Sequence, residues 1–305
     1  MSLRLAVLLN ASAGTIERHG CDRLIEQLTA AFDRHGVVAT VVAVPCLELA
    51  EAARQARQAV LAGELDGVVV GGGDGTIRTV AAVLVGSEVP LGIIPLGTLN
   101  HFARDAGLPL VPEQAVAVIA GAHTRRVDVG EVNGEIFINN SSMGVYPYLV
   151  LDRDRRRRLH GTSKWLALVP AVWRTLRNFP LRRLSISAAG WRRPSRTPLV
   201  FVGNNEYQVS APKLGQRVRL DGGELCVYVA PRQSRLGLFW LACRAVLGLL
   251  DRARELQMFK LPEVTIRSRR RRLLVACDGE VEILRQPLHY RTRPRALRIF
   301  APPQA

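Results

Sequence analysis

Glycines and carboxylates meet repeatedly in this sequence at the ends of apolar runs, and that pairing points to phosphate chemistry. Val68-Val69-Val70 runs directly into Gly71-Gly72-Gly73-Asp74-Gly75-Thr76. Gly72, Gly73 and Gly75 let the backbone turn sharply and bring bare N–H groups close to an anion. A helix expected from Thr76 adds unpaired amides and a partial positive charge. Asp74 inside such a cradle repels phosphate unless a metal or a substrate hydroxyl accompanies it. Metal-assisted phosphoryl transfer is therefore expected, rather than plain anion binding. Pro95-Leu96-Gly97-Thr98-Leu99-Asn100 repeats the logic: Gly97 permits the turn, and Thr98 or Asn100 can cap the next helix or bond a phosphate. Far along the chain, Asp278-Gly279-Glu280 sets two carboxylates about a glycine at the end of a strand-like run.

These loops need a scaffold that gathers them. Strands over Leu5-Leu9, Val37-Val44, Asp66-Val70 and Leu91-Ile94 alternate with helices over Cys21-His35, Leu47-Leu61 and Thr76-Val85. Continuous apolar strands separated by helices predict a parallel sheet covered on both faces. Ligands of such sheets sit beyond the carboxyl ends of the strands. Asn10-Gly14, Gly71-Gly75 and Leu96-Asn100 all leave from those ends, so one ligand can touch all three. From about Arg126 strands dominate: Arg126-Val132, Glu135-Asn139, Leu184-Ala188, Leu199-Gly203, Gly223-Val229, Val264-Ser268, Leu273-Cys277 and Ala296-Phe300. Asn133-Gly134 and Asp221-Gly222-Gly223 supply turns, and helices are expected over Lys164-Phe179 and Leu236-Glu255. The reading is an α/β domain over 1–125 and a mostly antiparallel β domain over 126–305, whose last strand can return to the first.

At 305 residues the chain is long enough for two cores, and 48% hydrophobic residues argue against disorder. The net charge of +16, with three lysines among 42 basic residues, draws anions: nucleic acid, an anionic leaflet or a polyphosphate. Five dispersed cysteines read as reduced thiols. His123, His160 and His289 show no metal-ligand spacing. The N-terminus reads as a strand rather than a signal peptide, and Leu236-Leu250 is too short to span a bilayer. A cytoplasmic protein is expected.

Asn10 to Gly14, Gly72 to Thr76, Pro95 to Asn100 and Asp278 to Glu280, in this order and spacing, resemble the diacylglycerol kinase catalytic-domain family, which includes bacterial lipid kinases and sphingosine kinases. The resemblance implies a nucleotide-binding α/β domain like that of NAD kinase and diacylglycerol kinase, a C-terminal antiparallel β-sandwich, and an active site in the cleft between them. It also implies ATP and Mg²⁺. Asn10, Ser12, Gly14, Gly72, Gly73, Asp74, Gly75, Thr76, Gly97, Thr98 and Asn100 would then hold the nucleotide. Asp74 would act through Mg²⁺ or at the transferred phosphate. Glu280 would accept the proton of a lipid hydroxyl, with Asp278 as metal or orienting partner; the order of these two stays open.

Three positions depart from the family pattern. Ala11 replaces the usual proline, His101 replaces an aspartate, and Gly222 stands where a structural Mg²⁺ ligand is expected, leaving Asp221 as the substitute. Lys164-Phe179 has apolar residues at helical spacing beside arginines, as either an interfacial membrane helix or an ordinary cover for the β domain. Arg155-Arg158, Arg269-Arg272 and the group Arg291, Arg293, Arg295 and Arg298 read as solvated faces or as contacts with anionic lipid. A lipid substrate and peripheral contact with an anionic membrane are expected, nucleic acid is not, and an unpaired sheet edge could support a homodimer. NAD kinase, which shares the glycine-rich loop, and a non-catalytic basic binding module stay open as alternatives.

Overall fold

The structure, a computed structural model, describes residues 2–12, 20–148, 150–151, 182–188, 190–208, 215–230 and 257–303. Gly14, Arg155-Arg158, His160, Lys164-Phe179 and Leu236-Glu255 lie outside those residues. The chain forms two compact units. The first comprises Met1–Val129, Leu220–Gly222 and Arg293–Ala305, and the second comprises Gly130–Arg219 and Gly223–Thr292.

In the first unit β1 (Arg4–Asn10) pairs in parallel with β2 (Val38–Val44) on one side and β3 (Gly67–Gly72) on the other. Beyond β3, β4 (Leu91–Pro95) continues the parallel order, and Ile299 of the last strand pairs with Leu91. The connecting helices are α1 (Cys21–Arg34), α2 (Leu49–Leu61), α3 (Asp74–Leu84), α4 (His101–Asp105) and α5 (Pro112–Ala120). Side chains alternate across a strand, so each face of the sheet has its own set. Leu5, Val7 and Leu9 pack with Leu24, Leu28 and Phe32 of α1 and with Val116 and Ile119 of α5. Leu8, Val68 and Val70 are buried as well, and α2 and α3 pack together against β1 and β3. Burial on both faces is why β1, β3 and β4 read as unbroken apolar runs.

The second unit is antiparallel. β5 (Thr124–Val132) enters it by its last three residues and turns at Asn133-Gly134 into β6 (Glu135–Phe137), with φ 50° and 92° at the two turn positions, as a two-residue hairpin of inverted type requires. Then come β7 (Asn140–Gly144), β8 (Arg182–Ala188), β9 (Trp191–Thr197), β10 (Leu199–Asn204), β11 (Leu225–Val229), β12 (Gln257–Leu261), β13 (Glu263–Ser268), β14 (Arg272–Cys277), β15 (Glu280–Arg285) and β16 (Leu288–Phe300). One sheet has the order β12-β11-β10-β7-β14-β15; in the other, β13 lies between β8 and the first residues of β16, with β9 outside β8. Val200, Val202, Val227 and Val275 from the first sheet share a core with Ile186, Ile266, Leu288 and Tyr290 from the second. This is a sandwich closed by interdigitating apolar faces.

Four strands and two helices were not anticipated. β7 opens with Asn140-Ser141-Ser142, too polar to read as a buried strand, yet it runs through the middle of its sheet. β9 carries Pro194 and several arginines, tolerated because it is an edge strand. β15 is also an edge, and β12 adjoins a stretch read as helical. α3 starts at Asp74 rather than Thr76, which places the carboxylate in the first helical turn. α4 is a single short turn, and α5 follows Pro112 at its first position, a start signal that the sequence reading passed over. Among the described residues no helix is long and apolar enough to cross a membrane. Cys21, Cys46, Cys226 and Cys277 are free thiols.

One glycine in the sandwich has no substitute. Gly144 has φ +101°, and a Cβ there would lie 2.0 Å from the carbonyl oxygen of Pro198, the residue just before the neighbouring strand β10. Gly215 also has a positive φ, +80°, with open space around the Cβ position. Gly215→Ala should cost about 1 kcal/mol from backbone conformation alone. Gly144→Ala should cost about 2 kcal/mol more, since the strand must shift. Urea midpoints of the two variants check this, and equal midpoints would contradict it.

Candidate active site

In the first unit, β3 delivers Gly72 and Gly73 to the start of α3. The first helical bond runs from Ile77 N–H to the Gly73 carbonyl, so the amides of Asp74, Gly75 and Thr76 have no acceptor within the helix. The Thr76 hydroxyl accepts from Asn10 Nδ2 at 2.8 Å, and Asn10 Oδ1 accepts from Ser12 N–H at 3.0 Å. The end of β1 is thus tied to the end of β3. Asn10 is buried and Ser12 is exposed.

The second loop folds on its own asparagine. Gly97 N–H donates to Asn100 Oδ1 at 2.9 Å, and Asn100 Nδ2 donates to the Gly97 carbonyl at 2.8 Å. Asn100 has φ 50°, a left-handed conformation that asparagine tolerates better than most residues. A Cβ on Gly97 would lie 2.5 Å from Gly73 Cα, and one on Gly72 would lie 2.5 Å from the Thr76 side chain. Glycine at 97 lets the two loops meet backbone to backbone, and glycine at 72 makes room for the Thr76 side chain. Thr98, between them and Asn100, is exposed.

Asp74 joins the same two loops. Its Oδ2 accepts from His101 N–H at 3.0 Å and its Oδ1 from Phe102 N–H at 2.9 Å, so it caps α4. The carboxylate among the glycines therefore already faces two amide dipoles of the protein. The sequence offered no such partner, and only a metal or a substrate hydroxyl was expected to explain it.

In the second unit, Asp278 is gripped more tightly. Its Oδ2 accepts from Ile138 N–H at 2.7 Å, and its Oδ1 accepts from Asn139 N–H at 2.8 Å and Asn140 N–H at 3.0 Å. The Ile138 carbonyl accepts from Arg217 Nη1 at 2.6 Å and Asn204 Nδ2 at 3.0 Å, and Arg217 Nη2 reaches Asn139 Oδ1 at 2.9 Å. Arg217, Asn139 and Asn204 were missed in the sequence; the paired asparagines at 139–140 and 204–205 were the available signal. Asp278 has φ 50° and Gly279 φ 85°, which turn the chain so that Glu280 opens β15 on the surface. Behind the turn, Ser141 Oγ and Tyr290 Oη lie 3.1 Å apart, with Cys277 Sγ 3.5 Å from Ser141. Burial pushes the Tyr290 phenol far above its usual range, so it stays a neutral hydroxyl.

Asp221 belongs to the first unit, where its charge acts on Arg125. Burial lowers the Arg125 pKa, and the Asp221 carboxylate opposes that shift. Among the described residues no group of three or more His, Cys, Asp or Glu side chains is placed to hold a metal ion.

Comparison with known proteins places this architecture. Residues 4–132 match the model of the diacylglycerol kinase catalytic domain, and residues 152–301 match that of the YegS C-terminal NAD kinase beta sandwich-like domain. A Pseudomonas fluorescens protein named "Probable lipid kinase YegS-like" is 29% identical over 300 residues, 93% of each chain. A protein of Mycobacterium tuberculosis named diacylglycerol kinase is 32% identical over 191 residues, 56% of this chain and 62% of that one. The crystal structure of a diacylglycerol kinase from Bacillus anthracis shares the fold, with a TM-score of 0.70 at 20% identity, covering 98% of this chain and 97% of that one. The two models follow one another along nearly the whole chain, which belongs to the diacylglycerol kinase catalytic-domain family and is an enzyme of that kinase class.

The Asp278 clamp makes a measurable demand. An asparagine there keeps one acceptor but aims an NH₂ group at backbone donors. Asp278→Asn should lower stability by about 2–3 kcal/mol, the scale of lost bonds to a charged group. Urea denaturation of the purified chain tests it, and a loss below about 0.5 kcal/mol would show that the three amides do not depend on the charge.

Proposed function

We propose that this chain is an ATP- and Mg²⁺-dependent lipid kinase that transfers the γ-phosphate of ATP to a lipid hydroxyl, most simply that of diacylglycerol or a related lipid alcohol. The observation that carries this reading is the start of α3. Three consecutive amides without helical acceptors follow a glycine strand end, beside the Thr76 hydroxyl. The lipid acceptor rests on the relatives named as lipid and diacylglycerol kinases.

In this reading the amides of Asp74, Gly75 and Thr76 bind phosphate oxygens, reinforced by the positive end of α3. Asn10 and Ser12 hold β1 beside them, and Gly97, Thr98 and Asn100 shape the facing loop. The donor set fits Mg²⁺ arriving with the nucleotide, because that ion is commonly held by one or two carboxylates together with phosphates and water. Asp74 would hold it, and the ion would supply charge neutralisation at the phosphates. Asp221 already faces the Arg125 cation, which disfavours a second cation there. Between the two late carboxylates, the bonding favours Glu280 as proton acceptor. Asp278 spends three acceptor positions on backbone amides and acts as a positioning residue for the turn, whereas Glu280 is exposed. The arginine-rich surface supports peripheral contact with anionic lipid.

The test is transfer of label from γ-labelled ATP to diacylglycerol, phosphatidylglycerol, a sphingoid base, an isoprenoid alcohol or NAD, each offered separately. Label on a lipid is expected. Label on NAD alone would sink the lipid reading and support the NAD kinase alternative. Glu280→Gln should lower kcat by about 10²–10⁴-fold, the usual share of a general base, with KM for ATP little changed. An unaltered kcat would remove Glu280 from the mechanism.

A further inference from the structure

The turn between β13 and β14 concentrates positive charge in a way that the catalytic reading does not use. Arg267, Arg269, Arg270, Arg271 and Arg272, with Arg285 of β15, are all exposed. They line one open groove of about 660 Å³ together with Gln286 and Pro287. No ion pair neutralises any of the six among the described residues. Arg272 and Arg285 stand directly opposite one another across the β14–β15 ladder, an arrangement of like charges that weakens a sheet.

The turn is nevertheless held in place. Gln286 Oε1 accepts from Ser268 N–H at 2.5 Å, Gln286 Nε2 donates to the Arg270 carbonyl at 2.6 Å, and Gln286 N–H donates to the Arg271 carbonyl at 3.2 Å. These bonds fix the backbone of the arginine run, so little ordering entropy remains to be lost when an anionic partner arrives. Beside the cluster, Leu274 and Ile283 form the next outward pair of the same ladder. Ile283 is 65% exposed on an edge strand.

We propose that this arginine turn, with Ile283, is the face by which the second unit docks on an anionic lipid surface. The proposal rests on the lipid-kinase reading for its biological sense, since a lipid substrate resides in a membrane. Two observations favour lipid over nucleic acid. Residues 267–272 and 283–287 contain no aromatic or histidine side chain on which a base could stack. An exposed isoleucine beside the charges suits the headgroup–acyl boundary rather than a phosphate backbone.

Cosedimentation with phosphatidylcholine vesicles, with and without phosphatidylglycerol, tests the proposal. The intact chain should bind only the anionic vesicles and release them as salt rises. Each arginine near an anionic surface changes binding by about fivefold, so Arg269→Gln, Arg270→Gln and Arg271→Gln together should weaken it roughly a hundredfold. Lysine at the same three positions should retain binding, which separates lost charge from a damaged turn. An equal removal of charge from the exposed helical positions Arg23, Arg34 and Arg54 should leave vesicle binding in place. Unchanged binding in the first triple variant, or equal loss in the helical control, would overturn the docking face. So would binding of a DNA oligonucleotide through these arginines with no vesicle binding. Activity on lipid dispersed in detergent micelles should not change in the arginine-turn variant, and a parallel fall there would overturn a docking role. If the unaltered chain phosphorylates no lipid in micelles, the kinase reading fails, while selective loss of vesicle binding in the arginine-turn variant still supports the docking face.

Discussion

The loops and the turn of the candidate site depend on one kind of interaction, a carboxylate holding backbone amides. Asp74 accepts from His101 and Phe102, and Asp278 accepts from Ile138, Asn139 and Asn140. Charge-assisted bonds of this kind are roughly twice as strong as neutral ones. They act where the chain has no regular ladder to organise it: at the glycine loops of the first unit and at the strand junction of the second. In each unit the aspartate fixes backbone.

The scaffold supplies what these clamps need. In the first unit, both faces of the parallel strands are covered by helices, so the strand ends are rigid where the loops leave. The glycines then serve two ends. Gly72 and Gly97 remove side chains where Thr76 and Gly73 approach, while the start of α3 keeps amides without helical acceptors. In the second unit, the core shared by two sheets supports the 278–280 turn from behind, with Cys277, Ser141 and Tyr290 buried in contact. Polar groups buried this deeply are tolerated because they bond one another.

Much of this was legible in the residues. Apolar runs punctuated by glycine marked β1 to β4 and α1 to α3 to within a few residues, because burial leaves a pattern that polar loops interrupt. The antiparallel unit was legible where strands alternate, and less so at β7, where Asn140, Ser141 and Ser142 stand in place of the apolar side chains that mark a buried strand. β9 and β15 were hidden because edge strands tolerate proline and charge. In the site, the loops and carboxylates stood out by type and spacing. What spacing cannot convey is a side chain reaching far along the chain to a backbone group. The bond from Asp278 to Ile138 joins residues 140 positions apart, and Arg217, which grips the same stretch, had no motif around it.

The central claim is that the phosphate-binding start of α3 serves transfer to a lipid alcohol. The most direct measurement is mass-spectrometric identification of products after the purified chain is incubated with ATP, Mg²⁺ and a lipid extract. The account predicts a lipid that gains one phosphoryl group on a hydroxyl, formed in step with ADP. ADP formed without any phosphorylated lipid would contradict it.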